Sequence, residues 1–145
     1  MEENIITPIP EYKLYKDRAI YVGTFLGGPL VAGYLAAENF KRIGQPDKVR
    51  TTWVVAIIAT LVIFGIVFYI PGVRKMPNYI IPLIYTAIAQ GLIQRYQGIA
   101  IKDHIGKGGQ MYSAWRAVWI GLIGAVILVA IVVIFILATD INLLA

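Results

Sequence analysis

Charge-free apolar stretches alternate with short polar connectors along this chain, and the alternation predicts helices that cross a membrane. Residues 53–70 (WVVAIIATLVIFGIVFYI) and 119–139 (WIGLIGAVILVAIVVIFILAT) carry no charge. A helix needs about 20 apolar residues to traverse a hydrocarbon core of roughly 30 Å. Two further charge-free runs, 19–37 and 79–94, are interrupted. The first holds four glycines and Pro29, the second Pro82, Thr86, Gln90, Gly91 and Gln94. Proline removes a backbone donor, and in lipid the freed group needs a neighbouring helix, side chain or water. These two helices are therefore expected to face protein more than lipid. Asp47 behind Pro46 reads as a helix start, while Gly44-Gln45-Pro46 and Pro71-Gly72 read as stops.

The pattern predicts an all-α, polytopic integral membrane protein: one membrane domain over residues 1–145, a polar segment over 1–18 and helices at about 19–43, 48–70, 78–97 and 114–139. The first helix is expected to kink at Gly27-Gly28-Pro29 and still cross. Residues 29–42 (PLVAGYLAAENFKR) align without a gap to residues 82–95 (PLIYTAIAQGLIQR), sharing proline, leucine, one alanine and arginine. The alignment reads as two tandem helical hairpins, with chance agreement between apolar segments as the alternative.

Composition fits the same class. Hydrophobic residues make up 59% of the chain and charged ones 14%, against roughly 45–50% and about 25% in soluble domains. The chain has no cysteine, which excludes disulfides, thiolate metal ligation and thiol nucleophiles. Its net charge of +5 sits between apolar segments, where Lys and Arg meet lipid headgroups; no nucleic-acid partner is expected. Glu2, Glu3, Pro8, Pro10, Glu11 and Asp17 precede the first apolar run in place of a basic signal-peptide start. A multi-pass protein of a bacterial inner membrane, without a cleaved signal peptide, is the expected setting. With four crossings, the first and third loops would carry eight Lys and Arg residues, against five on the N-terminus and second loop. That difference predicts cytoplasmic first and third loops with both termini outside.

Candidate chemistry is sparse. Gly23 and Gly27 form a GxxxG pair, with Gly28, Pro29 and Gly33 behind them. Small residues one turn apart let two backbones approach closely. The face reads as packing inside the bundle, an interface to another subunit or a hinge, and the break as an open-backbone site of the kind transporters use. The stretch 97–113 (QGIAIKDHIGKGGQMYS) is expected to be a loop, in which Lys102, His104 and Lys107, with Arg116 beyond it, would reach lipid phosphates. Its Gly-Lys-Gly-Gly lacks the spacing and the Ser or Thr of a P-loop. One histidine cannot build a haem or zinc site. No ionisable residue falls in the four apolar runs, which argues against a proton relay. Tyr85 and Gln90 are expected to hydrogen-bond across helices. No catalytic, cofactor-binding or metal set emerges, and no enzyme is expected.

The stretch 20–44 (IYVGTFLGGPLVAGYLAAENFKRIG), with Trp115-Arg116-Ala117-Val118 further on, resembles an uncharacterised family of small bacterial four-helix membrane proteins with a TFLGGPLAAGYL-like first helix. The resemblance implies a topology and no activity. The expected function is that of a non-enzymatic membrane subunit or scaffold, associating through small-residue helix faces with itself or with a larger membrane complex. A small channel or transporter built from two hairpins, and a membrane-perturbing effector or sensor, are the alternatives.

Overall fold

The computed structural model describes residues 7–144, with side chains to residue 140; Glu2 and Glu3 lie outside the described residues. Four α-helices are present, α1 (Asp17–Arg42), α2 (Pro46–Tyr69), α3 (Ile80–Gly106) and α4 (Ala114–Leu144), with a 3-10 turn at Val73–Lys75 between α2 and α3. There is no strand among the described residues, only an isolated bridge between Leu14 and Met111. By length and apolarity, α1, α2 and α4 could each span a bilayer. The chain is a membrane-embedded helical protein.

α1 does not cross as one rod. Gly28 has φ 80° and ψ −173°, a backbone shape outside the helical region that only glycine adopts at little cost, and Pro29 follows without an N–H to donate. A straight helix of this length would separate its ends by about 39 Å. Instead the backbone N–H of Tyr15 donates to Asn39 Oδ1 at 2.8 Å, and Asn39 Nδ2 donates back to the Tyr15 carbonyl at 3.0 Å. Ile20 packs in one cluster with Leu35 and Ala36, and a Cβ on Gly23 would lie 2.9 Å from Leu35 Cδ1. Residues 17–27 (α1a) and 29–42 (α1b) are therefore two antiparallel arms of a helical hairpin, turning at Gly28. The expected kink is a reversal.

This hairpin is the hub. α2, α3 and α4 each pack on α1, and their backbones stay apart from one another. α1a lies against α4, while α1b lies beside α2 and α3. The two equivalent hairpins expected from the internal repeat do not form, because α3 and α4 meet through α1. α3 also runs on to Gly106, about two and a half turns past its expected end, so most of the expected third loop is helix and only residues 107–113 connect α3 to α4. Pro82 sits in the first turn of α3, where its missing donor costs nothing.

The reversal corrects the sidedness of the N-terminus. Leu14 N–H donates to the Gln110 carbonyl at 3.3 Å and Tyr112 N–H to the Leu14 carbonyl at 2.8 Å. The N-terminal segment thus lies on the same face as the first and third loops. Lys13, Lys16 and Arg18 join the eight basic residues already there, making eleven against Arg74 and Lys75 on the far face. The modest basic bias read from the sequence becomes a steep one.

Candidate functional site: a polar lock and an open groove

The most densely bonded part of the molecule lies at the basic face. Asn39 on α1b and Gln97 on α3 are 0% and 1% exposed. Asn39 Nδ2 donates to Gln97 Oε1 at 3.2 Å, and Gln97 Nε2 donates to the Ala36 carbonyl at 2.8 Å. Together with the paired bonds to Tyr15, these two amides join the N-terminal segment, α1b and α3. Buried amides are costly unless satisfied, and here every polar atom of the pair has a partner. Tyr15 extends the lock to α4: Arg116 Nε donates to its hydroxyl at 2.8 Å, and the guanidinium stacks over the Tyr112 ring at 4.5 Å. Burial raises the Tyr15 pKa above its ordinary value, outweighing the lowering effect of Arg116.

His104 is part of the same end. It was expected in a solvated loop facing lipid phosphates; it is 2% exposed on α3. Its Nε2 bonds the Gln110 carbonyl at 2.9 Å, Tyr12 stacks on its ring at 4.9 Å, and a side chain on Gly109 would collide with the ring. The helical extension of α3 turns the histidine inward. Lys107 is ion-paired to Asp103 at 2.8 Å, and that hydrogen bond raises its pKa. Arg116 is exposed but hydrogen-bonded to the Tyr15 hydroxyl, and Lys102 is exposed with no ion pair or side-chain hydrogen bond among the described residues.

The glycine face is consumed within the chain. A Cβ on Gly27 would lie 2.6 Å from the Gly121 carbonyl oxygen and collide with Val31; one on Gly121 would lie 2.9 Å from the Gly23 carbonyl oxygen. Gly124 likewise abuts Val31. The contact is reciprocal, glycine against glycine, between α1a and α4. Gly33 meets Ala56 of α2. As an interface to another subunit, the Gly23–Gly27 face is therefore already occupied.

At the hairpin tip the break is repaired. Pro29 cannot donate to the Phe25 carbonyl four residues back, and the Tyr85 hydroxyl donates to that oxygen at 3.3 Å. The cross-helix bond expected of Tyr85 is present. Gln90 Oε1, expected to make another, has no hydrogen-bond partner among the described residues. A cavity of about 260 Å³ adjoins the tip, lined by Gly28, Pro29, Thr60, Tyr85 and apolar residues of α2 and α4.

A larger groove of about 750 Å³ opens between α2 and α3, with Ala32, Gly33 and Ala36 of α1b as its floor. Lys48, Thr51, Thr52, Tyr96 and Gln97 line its end at the basic face, and its remaining length is walled mainly by Val, Ile, Ala and Leu, with Pro29 and Tyr85 near its far end at Ile66 and Ile81.

Asn39, Gln97, Gly121 and Gly124 were not singled out from the sequence. The glycine pair had a signal, since Ala117, Gly121 and Gly124 repeat the small-residue spacing of α1a. Asn39 and Gln97 had none, because each sits among charged residues that mark a helix end. No protein-family model, curated protein or solved structure matches this chain.

Proposed function

We propose that this chain is a non-enzymatic membrane subunit of a bacterial inner membrane, associating with a second membrane protein or with itself through the half of the bundle its own hairpin leaves unfilled. The observation behind this reading is the tip of α1 at Gly28. It reaches the level of Thr60 on α2, Tyr85 on α3 and Leu128 on α4, and beyond it the crossing helices have no common core. From Val129 to Leu137 the large apolar side chains of α4 are nearly all exposed, and the Phe68–Phe135 ring contact at 5.9 Å joins α4 to α2 there. In lipid such a surface is tolerated, because acyl chains solvate it as well as leucine does. It also leaves a full helix face free for another helix, while the Gly23–Gly27 face is spent internally.

The polar side chains that bond across segments support the same reading, while Thr86 Oγ1 and Gln90 Oε1 on α3 are buried without a partner among the described residues. Asn39, Gln97, Tyr15, Arg116 and the Tyr85 hydroxyl each bond another segment of the chain, and none is held ready for a substrate. The test is photo-crosslinking in the native membrane, with the crosslinker at Ile134 and, separately, at Tyr21 near the basic face. Crosslinks to another protein or to a second copy from Ile134, and none from Tyr21, support the proposal. Exclusive lipid adducts at Ile134, together with ion or solute flux through liposomes holding the purified chain alone, would replace it with the channel reading.

A further inference from the structure

We propose that the groove between α2 and α3 holds one acyl chain of an anionic phospholipid, whose phosphate sits against Lys48 at the basic face. Three observations carry this. The groove is charged at one end only, where Lys48, Thr51 and Thr52 line it, and apolar over the rest apart from Tyr85, whose hydroxyl is bonded to the Phe25 carbonyl; that is the distribution of an amphiphile with one headgroup. Lys48 is exposed and forms no ion pair among the described residues, its ammonium lying 5.5 Å over the Phe40 ring. It stands on the face that carries eleven of the thirteen basic residues, so the complementary charge is negative and belongs to the leaflet on that side. The small floor residues Ala32, Gly33 and Ala36 leave the groove open along α1b, and the single-ended charge selects an amphiphile over a wholly apolar helix face as its occupant.

The apolar end of the groove runs past the tip on the α2–α3 side, whereas protein association is proposed on the exposed face of α4, and neither proposal depends on the other. The test is native mass spectrometry of the full chain released from nanodiscs containing equal parts phosphatidylglycerol and phosphatidylcholine with identical acyl chains. The parent chain should retain one phosphatidylglycerol, preferred about fivefold over phosphatidylcholine, the ratio a single near-surface lysine supplies. Lys48→Gln should abolish the preference without unfolding the chain, because Lys48 is at the surface. Ala89→Phe, which narrows the slot, should reduce retention of both lipids, while Arg50→Gln, outside the groove, should change neither. Equal retention of the two lipids by the parent, or an unchanged preference in Lys48→Gln, would overturn the proposal. So would a crosslink from Ile88 to another protein or to a second copy.

Discussion

Asn39 makes more hydrogen bonds than any other side chain among the described residues: two to the Tyr15 backbone and one to Gln97. Its replacement by alanine strands the Tyr15 backbone groups and one Gln97 oxygen in a buried place, a loss of about 1–3 kcal/mol. Asn39→Ala should lower the unfolding temperature in detergent and make the segment before α1 sensitive to protease; an unchanged digestion pattern would show that the lock does not hold that segment. Asn39→Asp keeps the acceptor but turns a carboxylate oxygen toward the Tyr15 carbonyl and Gln97 Oε1, two other acceptors, so it should not restore the stability lost in the alanine variant. Tyr85→Phe removes the hydroxyl that satisfies Phe25 and nothing else, a change of about 1 kcal/mol, readable as a smaller shift in the same melt. The raised pKa of Tyr15 adds a pH dependence of definite sign. Its stabilising contribution is intact below the ordinary tyrosine value of about 10 and is lost as pH climbs through the higher folded value. These residues were the least legible in the sequence. A lone asparagine or glutamine beside charged residues has no spacing signature, and its partners lie as many as 61 positions away.

At the scale of elements, α2 and α4 were legible because a charge-free run of bilayer length has few other uses. α1 was legible as a helix with a break, and the sense of the break was not. Sequence shows that Gly28-Pro29 interrupts the hydrogen-bond ladder; whether the chain bends or returns is decided by contacts between arms, Ile20 with Leu35 and Tyr15 with Asn39. The continuation of α3 was hidden because Arg95, Lys102 and Asp103 mark where the bilayer ends, and a helix need not end there. The hairpin makes two predictions. Gly28→Ala forces a side chain into φ 80°, ψ −173°, a region all but reserved for glycine, costing about 1–3 kcal/mol. Gly27→Leu drives a branched side chain into the Gly121 backbone and should cost about 1–3 kcal/mol by overpacking, seen as loss of the folded monomer on mild extraction. Gly121→Leu strikes the same contact from α4, so the double variant should be little worse than either single one. Ile134→Leu, on the exposed half of α4, is the silent control; Val132 is half-buried beside the tip cavity and does not serve as one. Equal recovery of Gly27→Leu and Ile134→Leu would show that the glycine contact does not hold α1a to α4.

The whole molecule is a half-filled bundle. A polar cap at the basic face joins the N-terminal segment, both ends of α1, the end of α3 and the start of α4, and the hairpin core below it reaches only to Gly28. Past that level α2, α3 and α4 continue without a shared interior. Composition placed the chain in a membrane, but the side on which the N-terminus lies depended on α1. Read as a crossing helix, α1 divides the basic residues eight to five; read as a hairpin that returns, it divides them eleven to two. The lack of any cysteine makes the direct measurement simple. Single-cysteine variants Lys13→Cys, Gly72→Cys and Gly108→Cys, in sealed right-side-out and inverted vesicles, are treated with a thiol reagent that cannot cross the membrane. With α1 a returning hairpin, Lys13→Cys and Gly108→Cys label from the same, cytoplasmic side and Gly72→Cys from the other. Labelling of Lys13→Cys together with Gly72→Cys, opposite to Gly108→Cys, would mean that α1 crosses the membrane and would contradict the account.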